Sequence, residues 1–332
     1  MIWPGDHTTH IEQAARLLAE GHLLGFPTET VYGLGADACN DEAVQAIYAA
    51  KGRPTDHPLI VHIAEPGDAA HFADPIPGFA LRLMRAHWPG PLTLILPRRA
   101  GVANASAAHQ ASIGIRCPSH PVAQALLRAA RALGVKGVSG PSANRFGRVS
   151  PTCADHVVAE FGAALDVLDG GACPVGIEST IIDCTRGQPV LLRPGMLTAD
   201  VLSQSAGVAV LTPQSAGQAL TDPAPKASGT LASHYAPAAK LRLLDEAGMR
   251  DHAAALPPDQ RRRVAVWSPD RPADPDLHWK PMPTDAPTCA RELFLTLREL
   301  EAWGAQEIWV KPPPPDMAWD GVRDRLTRAS HG

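Results

Sequence analysis

In the first two hundred residues, several Lys and Arg stand beside Gly, Pro or Ser at the ends of apolar runs, away from helix faces. Lys51 and Arg53 lie in "KGRPTDHP", Arg116 ends "SIGIR", Arg145 and Arg148 flank "FG", and Arg193 precedes Pro194-Gly195. Any one of them alone reads as a surface cation, and Lys51 as a charge complementing a helix C-terminus. Together, with Ser/Thr/Gly loops between them, they describe a site for anionic groups. The loop "SGPSANRFGRVSP" (139–151) lets backbone N–H groups approach a ligand and offers the hydroxyls of Ser142 and Ser150. By itself it also reads as a plain turn. "GIEST" (176–180) is equally open, with Glu178 as a cap and Thr180 as a strand residue.

"GFPTETVYGLGAD" (25–37) is neither a GxxxxGK[ST] phosphate loop nor a GxGxxG dinucleotide turn, and it holds no nucleophile–base pair. In "PLIVHI", His62 falls on the face opposite Leu59, Val61 and Ile63. It either points to a cleft or is a half-exposed, hydrogen-bonded histidine. Tyr32 and Trp88 read as core. His234 and Tyr235, an aromatic pair in a Pro/Ala/Ser-rich stretch, either anchor that stretch or close over a ligand.

The elements that would hold these residues alternate strand and helix. A Thr9/Glu12 capping box opens a helix with Ile11, Ala14, Ala15 and Leu18 on one face and Gly21 as its stop. "LLGFP" reads as a strand. Asn40 caps a second helix, with Val44, Ile47 and Tyr48 inward, broken at Gly52 and Pro54. "PLIVHI", "PLTLILP" and "SIGIRCP" read as strands, followed by a helix over 121–133 that stops at Gly134. Thr152–Asp155 cap another helix, and "STIIDCT" and "PVLLRPG" close the pattern as paired strands. This order predicts an α/β domain over 1–206, a Pro/Ala/Ser-rich linker over 207–239 and a smaller α/β domain over 240–332. In the last, "KLRLLD", "RRVAVWSP" and "EIWVKP" read as strands, with Ala290, Leu293, Phe294, Leu297 and Leu300 marking a helix.

A length of 332 residues favours two domains. With 45% hydrophobic and 19% charged residues the chain is an ordinary globular one, and a net charge of −4 argues against a large grip on nucleic acid. Six scattered Cys without a CxxC pair read as reduced thiols. The opening residues lack a leader pattern and no apolar run reaches the ~18 residues of a membrane span, so a cytoplasmic location is expected. Fourteen His without HExxH or paired Cys/His spacing predict no metal held by protein ligands.

Composition and spacing stop at a phosphate-handling α/β protein, but the motifs go further. "PTETVYGLGADA", "KGRP" with "HPLIVHI", "WPGPLTLIL", "GIRCP", "PSAN" with "FGR" and "SPT", "GIESTIID" and "LLRPG" occur in this order. With "SHYAP" and a tail ending "WDGVRDRL", the chain resembles the threonylcarbamoyl-AMP synthase family (the Sua5/YrdC/YciO group) along essentially its whole length. The resemblance implies a YrdC-like twisted mixed sheet with a concave basic cleft, plus a smaller Rossmann-like α/β domain of Sua5 type. It implies synthesis of threonylcarbamoyl-AMP and pyrophosphate from L-threonine, bicarbonate and ATP, the first step toward t6A in tRNA. Mg2+ would enter on the ATP phosphates.

It carries the threonine role to Thr30, His62, Arg116, Gly140 and Thr180. The ATP role falls on Arg53, His57, Ser112, Ser142, Ser150, Arg193 and Tyr235. Lys51, Arg53, Ser142 and Asn144 match its K-x-R and S-x-N signature, a set for handling phosphate and carbamate. His57 stands where Asn or Lys is frequent, and Ser112 where Thr is frequent. The implied partners are the transferase complex that consumes the product and a weak tRNA contact, the chain acting as monomer or homodimer. Two competing readings are a non-catalytic RNA-binding or ribosome-maturation relative and a carbamoyl-transfer enzyme of hydrogenase maturation. The acidic balance and complete motif set disfavour the first. The missing zinc-finger Cys pairs and acylphosphatase-like module disfavour the second.

Overall fold

The computed structural model describes residues 1–219 and 223–332. It divides into a first unit, Met1–Phe146 with Ser150–Thr230, and a second, Gly147–Val149 with Leu231–Gly332. The stretch read as a linker contains a short helix, Pro213–Ala219, and its residues 220–222 lie outside the described residues.

Among the described residues, the first unit holds ten strands: β1 Ile2–Pro4, β2 Leu24–Phe26, β3 Gly33–Asp37, β4 Ile60–His62, β5 Leu92–Pro97, β6 Ser112–Arg116, β7 Val138–Ser139, β8 Val167–Asp169, β9 Thr180–Asp183 and β10 Val190–Arg193. They form one mixed sheet in the order β1-β8-β2-β3-β7-β4-β6-β5-β9-β10. The centre matters most for function. β4 pairs parallel with β6, β6 antiparallel with β5, and β5 parallel with β9. "STIIDCT" and "PVLLRPG" do pair, antiparallel, as β9 and β10.

Alternation along the strands feeds separate clusters. Leu24 and Phe26 of β2 pack with Ala14, Ala15 and Leu18 of helix Thr8–Ala19 and Leu126 and Leu127 of helix Pro121–Ala132. Leu34 and Ala36 of β3 pack with Val44, Ile47 and Tyr48 of helix Asp41–Lys51 and Val157 of helix Ala154–Phe161. Each fully buried Leu or Ile of this kind contributes about 1.5–3 kcal/mol. β3 carries Gly33 and Gly35 because the Phe26 ring lies on them. A Cβ at either would meet ring carbons at 2.7 and 3.0 Å.

Two expected caps differ. The first helix begins at Thr8 behind His7, which makes no side-chain cap, so the Thr9/Glu12 box is not formed. The helix expected at Thr152–Asp155 begins at Ala154 behind Cys153, again without a side-chain cap, and Thr152 donates its backbone N–H to His156 Nδ1 at 3.2 Å. Asn40 does cap its helix, accepting from the Ala43 N–H at 3.1 Å, and Gly52 ends it at φ 64°.

The second unit is a parallel sheet of β11 Lys240–Leu243, β12 Val264–Ser268, β13 His278–Pro281 and β14 Glu307–Val310, in the order β11-β14-β12-β13. Met249 and Ala253 of helix Glu246–Ala255 pack on Val264, Val266 and Trp309. Helix Ala286–Ala302 buries Cys289, Ala290, Leu293, Phe294, Leu297 and Leu300.

Candidate functional site

The register of β4 against β6 sets His62 beside Arg116. Arg116 is 4% exposed, and its guanidinium donates from Nη1 to Thr30 Oγ1 at 2.7 Å and from Nε to the Gly90 carbonyl at 3.3 Å. Its Nη2 touches Glu29 Oε1 at 2.8 Å. Glu29 is itself 5% exposed. Burial pushes its carboxyl up, but Arg116 and nearby backbone N–H groups outweigh that and hold it below the ordinary carboxylate value.

His62 is buried and is not the half-exposed residue that alternation also allowed. Its ring meets Phe26 edge to face at 5.6 Å. Burial, then repulsion from Arg116, lowers its pKa to about 3, so the imidazole is neutral at working pH. Among the described residues, its Nδ1 has no hydrogen-bond partner. Gly140 lies against this ring, since a Cβ there would come within 2.8 Å of Phe26 and 3.0 Å of His62 Nδ1. Thr180, starting β9, donates its N–H to the Pro91 carbonyl at 3.0 Å, one residue from the carbonyl that Arg116 holds.

A second, cationic set adjoins the first. Lys51 is buried, and its ammonium donates to the carbonyls of Ser142 and Asn144, both at 2.5 Å. It therefore ties helix 41–51 to the 140–144 loop and does not serve as a solvated helix-end charge. Burial, with repulsion from Arg53, lowers its pKa well below the usual value. Arg53 donates to the carbonyls of His57 at 3.2 Å and Pro58 at 2.9 Å, and to Ser228 Oγ at 3.2 Å. Arg193 holds the Ser179 carbonyl at 2.9 Å and the Ser228 carbonyl at 3.0 Å. The cations at 53 and 193, distant in sequence, thus meet on one serine.

His57 sits beside Phe146 at 5.7 Å, and burial with repulsion from Arg53 lowers its pKa. Ser150 donates to Glu178 Oε1 at 2.5 Å. Ser112 starts β6 and, with Pro58, Gly114, Ile181 and Lys226–Ser228, lines a crevice of only about 10 Å³.

The structure therefore brings Thr30, His62, Arg116 and Gly140 into contact, joins Thr180 to them through the 90–91 loop, and gathers Lys51, Arg53, Ser142, Asn144 and Arg193 beside them. Tyr235 is placed differently. It belongs to the second unit, buried at 1% exposure with φ 63°, its ring 5.5 Å from Phe294 and 5.3 Å from the Arg325 guanidinium.

Sequence reasoning missed Glu29, Ser179 and Ser228, and read Glu178 only as a cap. Glu29 stood in plain view between two Thr, and a carboxylate flanked by "PT" and "TV" in an apolar stretch was the available signal. Ser228 carried none, because its partners lie 175 and 35 residues away.

Comparison with known proteins gives a consistent answer. A family model described as telomere recombination (Sua5/YciO/YrdC) matches residues 16–195, and one for the threonylcarbamoyl-AMP synthase C-terminal domain matches 197–331. The threonylcarbamoyl-AMP synthase of Pyrococcus abyssi is 36% identical, covering 96% of this chain and 94% of its own. That of Bacillus subtilis is 41% identical, covering 79% and 75%. Among solved structures, P. abyssi Sua5 complexed with L-threonine superposes with a TM-score of 0.86 at 34% identity, over 98% of this chain and 95% of that one.

Proposed function

The chain belongs to the Sua5/YciO/YrdC family, and from that premise we propose that its first unit performs the reaction its relatives are named for. It makes threonylcarbamoyl-AMP from L-threonine, bicarbonate and ATP. The observation that carries this reading is the buried Arg116–Glu29–Thr30–His62 cluster standing beside the Lys51, Arg53 and Arg193 cations.

The chemistry asks mainly for placement. The threonine nitrogen attacks the carbon of CO₂ released from bicarbonate, an N–C bond forms, and the nitrogen gives up one proton. A carbamate oxygen then attacks the α-phosphorus of ATP, the bond to the β-phosphate bridging oxygen breaks, and pyrophosphate leaves. Threonine, the carbamate and the triphosphate repel one another, so catalysis rests on positioning and charge compensation.

Arg116 offers a planar fork to the threonine carboxylate, and Glu29, already in contact with Arg116, offers an acceptor to the amine. The Thr30 and Thr180 hydroxyls and the neutral His62 Nδ1 are hydrogen-bonding groups for the hydroxyl and amine. Gly140 lets the ligand lie against the backbone. Lys51 holds the 141–144 loop in shape, so that Ser142 and Asn144 present their groups to the phosphates. Arg53 and Arg193 supply charge to the nucleotide, with His57, Ser112 and Ser150 at its edges. A Mg2+ carried on the phosphates would neutralise part of their charge. Arg53 and Arg193 would share the remaining phosphate charge with such an ion. Transfer of the labile product to the tRNA-modifying transferase belongs to this reading as well.

The test is mass spectrometry of the product after incubation with ATP, Mg2+, L-threonine and ¹³C-bicarbonate, without RNA. The expected product carries the label and appears only when threonine and bicarbonate are both present. ATP turnover indifferent to threonine, or RNA binding without turnover, would overturn the reading.

A further inference from the structure

We propose that the second unit carries a separate binding site for an apolar α-amino acid, at the carboxyl ends of β11, β14 and β12. A cavity of about 220 Å³ opens there. Ligands of open α/β sheets bind in the crevice beyond the carboxyl ends of the strands, where the strand order reverses. In this sheet the reversal is at β14, which returns to lie between β11 and β12. The volume falls below the ~300–1,000 Å³ of pockets for drug-sized ligands, which selects something the size of one amino acid.

The chemistry of the walls selects the class. The floor is apolar and belongs to the unit's core: Met249 and Ala253 from helix 246–255, and Leu277 ahead of β13. Pro272 and Ala273 continue it along the loop. The rim carries charges of both signs. Lys311 touches Glu246 at 2.8 Å and Asp270 at 3.5 Å, two carboxylates sharing one ammonium. Arg250, whose charge also acts on Glu246, and Arg271 are exposed cations of the same rim. Arg271 lies 5.9 Å from the Trp279 ring, while Asp274 is engaged by Arg261 at 3.1 Å. A ligand bearing both an ammonium and a carboxylate, with an apolar side chain on the floor, meets both signs of the rim.

A nucleotide does not fit the same site. Only Leu244 and Asp245 separate β11 from the following helix, and the Asp245 carboxylate accepts from the Gly248 N–H at 2.7 Å. Glu246 adds a second negative charge in the first turn. The helix end that would receive a phosphate is closed to it.

The experiment is isothermal titration of the full chain with L-leucine, with 4-methylpentanoate (no ammonium), with L-leucinamide (no carboxylate) and with AMP. Each is repeated on Arg250→Gln/Arg271→Gln, on Glu246→Gln and on Arg116→Ala. L-leucine is expected to bind, to survive Arg116→Ala, and to weaken by about tenfold or more in the Arg250/Arg271 double variant and on losing either charged group. These arginines are exposed, so thermal melts should match the parent and separate lost binding from lost folding. The proposal is overturned if leucine does not bind, if its binding disappears with Arg116→Ala alone, if 4-methylpentanoate binds as well as leucine, or if AMP competes with leucine.

Discussion

Replacing Glu29 by Gln keeps the side chain's shape and removes its charge, which isolates what the buried pair with Arg116 contributes. At the observed 2.8 Å, an effective dielectric of about 20 gives a gross attraction of about 6 kcal/mol. Much of that offsets desolvation, and removing one partner of a buried pair costs about 3–5 kcal/mol net. The glutamine oxygen can still accept from Arg116, so the lower end, about 3 kcal/mol, is expected. For a unit of this size that lowers Tm by about 6–12 °C.

The same change takes the acceptor from the threonine amine while leaving Arg116 to hold the carboxylate. The KM for threonine should therefore rise by about 10–100-fold, and the KM for ATP should barely change. The pH dependence follows from the direction of the shift. Glu29 has its pKa lowered from 4.5, so its contribution is present above the unfolded value and lost as pH falls through the folded one. The gap in Tm between parent and variant should narrow as the medium is acidified below that value. Calorimetry across pH, with pyrophosphate release titrated against each substrate, reads all three effects. A variant that melts with the parent at neutral pH and keeps its threonine KM would refute the reasoning.

Other expectations follow from the same geometry. Gly140→Ala pushes a Cβ to 2.8 Å from Phe26 and 3.0 Å from His62 Nδ1. It should raise the threonine KM more than the ATP KM in steady-state titrations, and equal effects on the two would count against it. Arg116→Ala should chiefly weaken threonine use and Arg53→Ala ATP use, the latter also loosening the carbonyls of His57 and Pro58. Substrate titrations with the reverse assignment would contradict it. With its pKa lowered to about 3, His62 should show no titrating NMR ring shift between roughly pH 5 and 8, where an unperturbed histidine titrates. A midpoint inside that window would mean the ring is more solvated than its burial implies.

What the sequence disclosed, and what it hid, divides along physical lines. Alternation along β6 sets Arg116 opposite Ile113 and Ile115, and those isoleucines are buried in the core while Arg116 faces Thr30 and Glu29. Local signals such as Asn40 and Gly52 sufficed for the second helix. β3 was hidden because Gly33 and Gly35 resemble a turn until the Phe26 ring above them is known. β1, β8 and β13 are three or four residues long and depend on their neighbours for definition. Ser228 was beyond reach for a different reason. Its role comes from Arg53, Arg193 and the Pro58 carbonyl, which the fold, and no local pattern, delivers to it. The sign of Lys51's surroundings was equally non-local, being set by the carbonyls of Ser142 and Asn144 some ninety residues on.

The pairing of His62 with Arg116 across β4 and β6 has a consequence for how such a protein can vary. Their immediate neighbours Val61 and Ile115 face one another in the next rung and belong to the oily interior. Sliding one strand by a single step would carry the valine toward the substrate and drive a guanidinium into hydrocarbon. Loss of the native ladder thus ends ligand recognition and cooperative folding in the same event, and drift in this part of the sheet is confined to exchanges that leave the rungs aligned.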